Sequence, residues 1–174
     1  MKAIARGVVH IRPECPDDAD AISAVIERAF AAGPHSDGTE HLIVSALRNA
    51  GVLTVSLVSE QAGQLQGHIA FSPVSVSDGS LRWYGLGPLA VEPSLQGTGI
   101  GSALVKAGLG KLRAIGAAGC VVLGEPAYYG RFGFVHTASL RFPGPPPEYF
   151  MAQSFGETVP DGEVSYHAAF AAEA

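Results

Sequence analysis

The stretch that decides the fold runs from Leu89 to Ser102 and reads LAVEPSLQGTGIGS. It begins as an apolar strand, continues through a turn with glycines at positions 97, 99 and 101, and ends where a helix begins. Glycine lets a backbone approach a ligand closely, and the first N–H groups of a helix have no partner within that helix. Because these groups lie at the positive end of the helix, they predict a pyrophosphate site that needs no basic side chain. The predicted binding residues are Gln96, Gly97, Thr98, Gly99, Ile100, Gly101 and Ser102.

Before this turn, hydrophobic residues recur with a period of two, which is typical of half-buried strands. Glycine-containing turns at 61–64 and 77–80 separate strands predicted at 53–58, 65–76 and 81–91, so this part forms an antiparallel meander. After the turn, an amphipathic helix to about Ile115, an apolar strand from Gly119 to Leu123 and a short helical segment around 127–131 predict one β-α-β unit.

The two ends of the chain complete this pattern. A short strand at 8–12 precedes two amphipathic helices, one from Pro16 to Gly33 and one that Thr39 caps and Gly51 ends. Beyond the β-α-β unit, a proline-rich loop separates strands at 139–142 and 149–155, and a last strand runs from 164 to 170. The prediction is a mixed α/β (α+β) fold in one domain, residues 1–174, with a mostly antiparallel mixed sheet of about six to seven strands.

Composition narrows the function classes. The chain has 174 residues, 47% of them hydrophobic, and a net charge of −5 with only 11 lysines and arginines, which gives no footprint for nucleic acid or a membrane surface. The first residues form too short an apolar stretch for a signal peptide, and no run approaches the ~20 apolar residues of a membrane span, so we expect a cytoplasmic protein. Two distant cysteines predict neither a disulfide framework nor a metal site.

Two familiar phosphate motifs do not match the glycine turn. A Walker A loop counted from Gly97 or Gly99 would need its second glycine at Ser102 or Leu104. The dinucleotide fingerprint G-x-G-x-x-G also places Ser102 where its third glycine should stand, and no first β-α-β unit opens the chain. These mismatches disfavour a nucleotide-dependent oxidoreductase.

The arrangement Gln96-x-x-Gly99-x-Gly101 instead resembles the acyl-CoA pyrophosphate motif of the GCN5-related N-acetyltransferase (GNAT) superfamily. The stretch YYGRFGF at 128–134 is similar to a second signature of that superfamily, an aromatic helix that ends in Gly-Phe. Three further stretches, GHIAFSPV at 67–74, LGPLAV at 86–91 and LGEPAYY at 123–129, resemble its YhbS-like branch of predicted acetyltransferases. The resemblance covers most of the chain from the second helix onward, and it implies a GNAT-like fold.

The resemblance also implies roles for residues on both sides of the turn. Acetyl-CoA would be the cosubstrate, its pantetheine arm lying along the backbone of Leu89, Ala90 and Val91, with an amide near Leu89 bound to the thioester carbonyl. Tyr129, four residues before the second glycine of the signature, would be the general acid that protonates the departing thiolate; the alternative is a tyrosine that only packs. The reaction would be direct transfer of the acetyl group to an amine in a ternary complex, without a metal ion.

The general base is not identified by the sequence. Many members of the superfamily place a catalytic carboxylate in the strand before the turn, but residues 81–91 contain no acid. Two residues are tentative bases. Glu125 lies at the carboxyl end of an apolar strand, where it could instead be a helix-capping carboxylate. His68 lies on a middle strand, where it could instead be a histidine whose hydrogen bonds are satisfied within the sheet. Deprotonation through water, or an acceptor that arrives neutral, remains open.

The acceptor is also left open: a small-molecule or peptide amine, with no role for nucleic acid or membrane. The resemblance places its pocket near the first two helices, where His35, Glu40 and His41 lie, although such residues are often only exposed loop polars. Lys106, Lys111 and Arg113 follow the turn and could contact a cofactor phosphate or form a solvated helix face. A homodimer would use the aromatic-rich segment 149–155. The alternative function is an acyl-CoA binding module without transfer activity.

Overall fold

The computed structural model describes residues 8–31, 33–34 and 36–172, which form a mixed α/β fold. The strands are β1 (His10–Pro13), β2 (Val55–Gln61), β3 (Gln64–Val76), β4 (Trp83–Val91), β5 (Gly119–Leu123), β6 (Leu140–Arg141), β7 (Phe150–Ser154) and β8 (Gly162–Tyr166). The α-helices are α1 (Ala19–Phe30), α2 (Glu40–Asn49), α3 (Ile100–Ala114) and the one-turn α4 (Pro126–Tyr129). The predicted fold class is confirmed. The described residues form eight strands rather than six to seven, since strands as short as β6 are defined by distant partners and not by a sequence period.

The sheet opens between two of its central strands. The order β1-β2-β3-β4-β5-β7 forms the main sheet, and β8 pairs with β3 and with β6. β4 and β5 run parallel, and their pairing extends only from Trp83 opposite Gly119 to Leu86 opposite Val122. β4 then continues to Val91, and among the described strands this second half pairs only with β3. The edge of residues 87–91 that faces away from β3 therefore lines a wedge between β4 and β5.

Helices cover both faces of the sheet. α1 and α2 pack on one face, where Ile22, Val25 and Ile26 contact Val58, Ala70 and Ala90. α3 packs on the other face, where its leucines at 104, 109 and 112 lie over Ile69 and Phe71. Successive side chains of a strand point to opposite sides of the sheet, so alternate residues of the meander pack against the helices on each face.

Two local predictions are wrong. Thr39 does not cap α2 with its side chain; its hydroxyl donates to the carboxylate of Asp37, which also accepts from the Thr39 N–H at 2.9 Å. Thr39 still stands at the N-cap position, but the Asp37 carboxylate engages the hydroxyl that the cap would use. β7 confirms the strand predicted at 149–155, but the segment is not the exposed surface expected to take part in a homodimer: Phe150 and Met151 are buried, and within the segment only Tyr149 is exposed, at 37%.

No helix in the described part of the chain is both long and apolar enough to cross a membrane.

Candidate functional site

The glycine turn between β4 and α3 presents a row of free backbone donors. Gly99 is the N-cap residue of α3 and has φ +96°, a left-handed conformation that favours glycine. The N–H groups of residues 97–102 donate to no other described residue. Two side chain to backbone hydrogen bonds stabilise the turn: Gln96 Nε2 donates to the Val91 carbonyl at 3.2 Å, and Thr98 Oγ1 donates to the Leu95 carbonyl at 2.6 Å. Successive free amides at a helix N-terminus form an anion site.

A cavity of about 410 Å³ lies against this turn, and we call it the phosphate cavity. Tyr128 and Arg131 line it together with residues of the turn. Arg131 Nη2 donates to Ser102 Oγ at 3.3 Å, and its guanidinium lies 4.7 Å from the centre of the Tyr128 ring. The structure thus places at the turn a basic side chain that the glycine motif does not predict. A sequence signal existed: Arg131 stands three residues after Tyr128, a spacing that places two side chains on one helix face.

The basic residues of α3 do not reach this cavity. Lys106 and Lys111 are exposed on the helix surface, and the Arg113 guanidinium lies 4.1 Å from the ring centre of Phe155. None of the three lines the phosphate cavity. Of the two roles considered for these residues, their placement favours a solvent-exposed helix face over a contact with a phosphate of the cofactor.

Tyr129 faces the opposite side of the wedge from its neighbour Tyr128. Its ring packs edge-on against Tyr128, with centres 4.9 Å apart, and against Phe134, with centres 6.0 Å apart. A Cβ on Gly124 would lie 2.4 Å from the Tyr129 ring, so only glycine admits the ring there. Burial raises the pKa of the Tyr129 hydroxyl, which keeps its proton at neutral pH. The hydroxyl has no hydrogen-bond partner among the residues described, so it is available as a donor.

A second cavity, of about 480 Å³, opens on the Tyr129 side of the wedge, and we call it the acceptor cavity. Its aromatic lining comes from Phe30, Tyr129, Phe142, Tyr166 and Phe170. Its aliphatic lining comes from Ile43, Leu86, Pro88, Leu89 and Leu123. Glu40, at the first turn of α2, also lines it, and no lysine, arginine or histidine among the described residues does so.

The second half of β4 connects the two cavities. Leu89 lines the acceptor cavity, Val91 lines the phosphate cavity, and Ala90 is buried beneath the α1 and α2 layer. The backbone edge of this half-strand faces the wedge, and the cavities lie at its two ends. A ligand that extends from the free amides along this edge would reach the Tyr129 side.

Neither tentative base lines the acceptor cavity. His68 has no exposed surface, its Nε2 lies 2.8 Å from Ser56 Oγ, and burial lowers its pKa to about 4. Glu125 is exposed at the N-cap of α4, where its backbone carbonyl accepts from the N–H groups of Tyr128 and Tyr129. Their base role stays a prediction, and their placement does not favour it.

The other polar residues near the first two helices have mixed positions. His35 lies outside the described residues. His41 Nε2 is 3.6 Å from Glu27 Oε1, and neither residue lines the acceptor cavity. In the described part of the chain, no group of three or more histidine, cysteine or acidic side chains is arranged to hold a metal ion.

Comparison with protein families and curated proteins gives consistent matches. The family model described as "Acetyltransferase (GNAT) domain" matches residues 53–136, which include β4, the glycine turn and Tyr129. The uncharacterized N-acetyltransferase YhbS of Escherichia coli is 43% identical over 139 residues, which cover 77% of this chain and 80% of that protein.

Two solved structures match nearly the whole chain. A GNAT family acetyltransferase from Brucella melitensis in complex with acetyl-CoA is 48% identical, with a TM-score of 0.85, and the match covers 95% of this chain and 99% of that one. The Escherichia coli YhbS structure in complex with CoA is 37% identical, with a TM-score of 0.87, and the match covers 99% of this chain and 97% of that one.

Proposed function

Because this chain belongs to the GNAT family of acetyltransferases, we propose that it is an N-acetyltransferase that transfers the acetyl group of acetyl-CoA directly to an amine in a ternary complex. The observation that carries the proposal is the row of free N–H groups at residues 97–102, which ends beside an open strand edge leading to Tyr129. The relatives crystallised with acetyl-CoA or CoA share this fold over nearly the whole chain.

The residues of the site fit the chemistry of acetyl-CoA. Its pyrophosphate carries negative charge, which the free amides of the turn and the Arg131 guanidinium neutralise in the phosphate cavity. Its pantetheine arm carries amide groups, which the unpaired edge of residues 87–91 can bind as a neighbouring strand would. The free amides and Arg131, rather than the net charge of −5, would attract the anionic cosubstrate.

The transfer chemistry draws on two features of the chain. Bound acetyl-CoA supplies an activated acetyl thioester. A backbone N–H at the Leu89 end of the open edge donates to the carbonyl oxygen as that oxygen gains negative charge. The neutral amine attacks the carbonyl carbon, and the C–S bond breaks as the new N–C bond is completed. The Tyr129 hydroxyl, which its raised pKa keeps protonated, donates its proton to the sulfur that leaves. The proton that the amine nitrogen loses passes to water, from which Tyr129 regains its own. The homodimer and the cytoplasmic location stay predictions from the sequence.

The proposal is tested by calorimetry with acetyl-CoA and by thiol release with a broad panel of amines. We expect acetyl-CoA to bind and at least one amine to release CoA with formation of its N-acetyl product. Absence of acetyl-CoA binding, with binding of NADH instead, would contradict the proposal. Tight binding with no turnover of any amine would favour the acyl-CoA binding module over the transferase.

Arg131 gives a second prediction for the phosphate cavity. Arg131→Gln should weaken acetyl-CoA binding about 10-fold, because it removes a charge-assisted contact to the pyrophosphate. Calorimetry at low and high salt should show a smaller salt dependence for the variant than for the wild type, because fewer ionic contacts remain to be screened. Lys106→Gln is the matched control: Lys106 is exposed on α3 outside the cavity, and its loss should leave the affinity within about 2-fold. Equal losses in both variants would assign the effect to net charge.

A further inference from the structure

The acceptor cavity differs in chemistry from the phosphate cavity. Five aromatic rings and a set of aliphatic side chains form nearly all of its lining, and its volume of about 480 Å³ falls within the roughly 300–1,000 Å³ of small-molecule sites. These walls favour a ligand with an apolar body, because apart from Glu40 and the hydroxyls of Tyr129 and Tyr166 the lining side chains are apolar. Leu89, at the end of the open edge, belongs to the same lining and links the cavity to the reacting centre.

Glu40 is the one charged side chain among the described residues of this lining. It is half-buried, and its carboxylate has no ion pair or side-chain hydrogen bond with any residue in the described ranges. Other carboxylates around the α1 and α2 layer are paired: Glu14 with Arg48, Asp18 with Arg12, and Glu92 with Arg28. A lone carboxylate beside an apolar cavity is stabilised by a cation that enters the cavity.

We propose that the acceptor is a small primary amine on an aromatic or branched aliphatic body, whose ammonium group Glu40 binds. The bound ammonium loses a proton to water before the neutral amine attacks the thioester. This inference rests on the proposed transferase function and adds the class of acceptor. The aromatic walls also attract a cation through their ring faces. An acceptor that also carries a carboxylate would place that carboxylate near Glu40, and the described lining offers it no basic partner. An acceptor with a second ammonium group would find no second acidic side chain in the same lining.

The acceptor series separates these classes. At saturating acetyl-CoA, 2-phenylethylamine and 3-methylbutylamine should have kcat/KM values at least about 10-fold above those of L-phenylalanine and putrescine, because the latter two leave one charge unpaired in the cavity. L-phenylalanine is a matched probe, since it differs from 2-phenylethylamine by one carboxylate. A lysine-containing peptide tests the macromolecular alternative. Faster turnover of the carboxylate-bearing, polycationic or peptide acceptor would overturn the inference and leave the transferase function intact.

Variants of Glu40 test its contact with the ammonium group. Glu40→Gln should raise the KM for 2-phenylethylamine about 10-fold while leaving acetyl-CoA affinity unchanged, since it removes the charge and keeps the shape. Glu40→Lys should reverse the preference within the matched pair, so that L-phenylalanine becomes the better acceptor. Glu157→Gln, in an exposed loop outside the cavity, is the control and should change neither value. An unchanged KM in Glu40→Gln would overturn the assignment.

A binding measurement keeps the inference separate from the transferase proposal. Saturation-transfer NMR with 2-phenylethylamine, on the protein alone and on the protein with CoA, reports occupancy of the cavity without any turnover. We expect binding that weakens in Glu40→Gln. Failure to bind acetyl-CoA would overturn the transferase function, and this measurement would then decide the inference on its own. Absence of amine binding, or binding equal in wild type and Glu40→Gln, would overturn it.

Discussion

Gly108→Ala should lower the free energy of unfolding by about 2 kcal/mol, although alanine is a better helix former than glycine. A Cβ at position 108 of α3 would lie 2.2 Å from Cε2 and 2.5 Å from Cζ of Phe71. Phe71 is fully buried, with 0% exposure, so its ring has no free space to enter. The clash therefore outweighs the gain in helix propensity. Urea unfolding followed by the fluorescence of Trp83, the single tryptophan and 3% exposed, measures the change.

Gly110→Ala is the matched control, two residues further along the same helix. Nothing lies within 4 Å of a Cβ at position 110, which is exposed. Alanine there should raise the free energy of unfolding by about 0.5–1 kcal/mol, because glycine is the weaker helix former in an exposed helix interior. The same substitution thus has opposite signs at the two positions. A shift of the same sign in both variants would show that the contact with Phe71 does not determine the effect.

These two glycines illustrate what sequence patterns leave undecided. Period and turn residues predict where α3 lies and which of its residues face the sheet. They do not say which side chain of a strand distant in sequence lies opposite Gly108, because that depends on how the helix docks. The same limit applies to Arg131: its three-residue spacing from Tyr128 predicts a shared face, but only the turn of the chain after β5 brings that face to Ser102.

Other parts of the candidate site were accessible from the sequence because they are local. The free amides and the left-handed Gly99 follow from a strand, a glycine turn and a helix start that are contiguous in the chain. The wedge was not accessible from residue patterns, since it depends on where the parallel pairing of β4 and β5 stops, at Leu86 and Val122. The family resemblance placed Glu40 near the acceptor pocket, but residue patterns did not reveal which aromatic residues from the C-terminal third of the chain lie beside it, because these elements meet only in the folded protein.

Tyr129→Phe should lower kcat about 100-fold or more, while the dissociation constant of acetyl-CoA stays within about 2-fold. Phenylalanine keeps the edge-on packing with Tyr128 and Phe134 and removes only the hydroxyl, so the fold of α4 should be preserved. In the proposed mechanism, the hydroxyl carries the proton that the leaving thiolate needs. Steady-state thiol release gives kcat, and calorimetry gives the dissociation constant.

The pH profile of kcat distinguishes an acid role of Tyr129 from a packing role. Because burial raises the pKa of the Tyr129 hydroxyl, the hydroxyl keeps the proton that the proposed acid role requires to a higher pH than an ordinary tyrosine. An ordinary tyrosine has a pKa of about 10, so the fall in kcat that accompanies deprotonation of Tyr129 should begin only above that pH. This alkaline limb of the pH profile should be missing in Tyr129→Phe.

Tyr128→Phe is the matched control, because the two tyrosines are adjacent in α4 but line different cavities. The Tyr128 hydroxyl lies against the glycine turn, 2.7 Å from where a Cβ of Gly101 would be. Its loss should change acetyl-CoA affinity more than kcat, the reverse of Tyr129→Phe. An unchanged kcat in Tyr129→Phe, in an enzyme whose single-turnover rate shows that chemistry limits the reaction, would contradict the acid role. Equal losses of kcat in both variants would instead assign the effect to the packing of α4 as a whole.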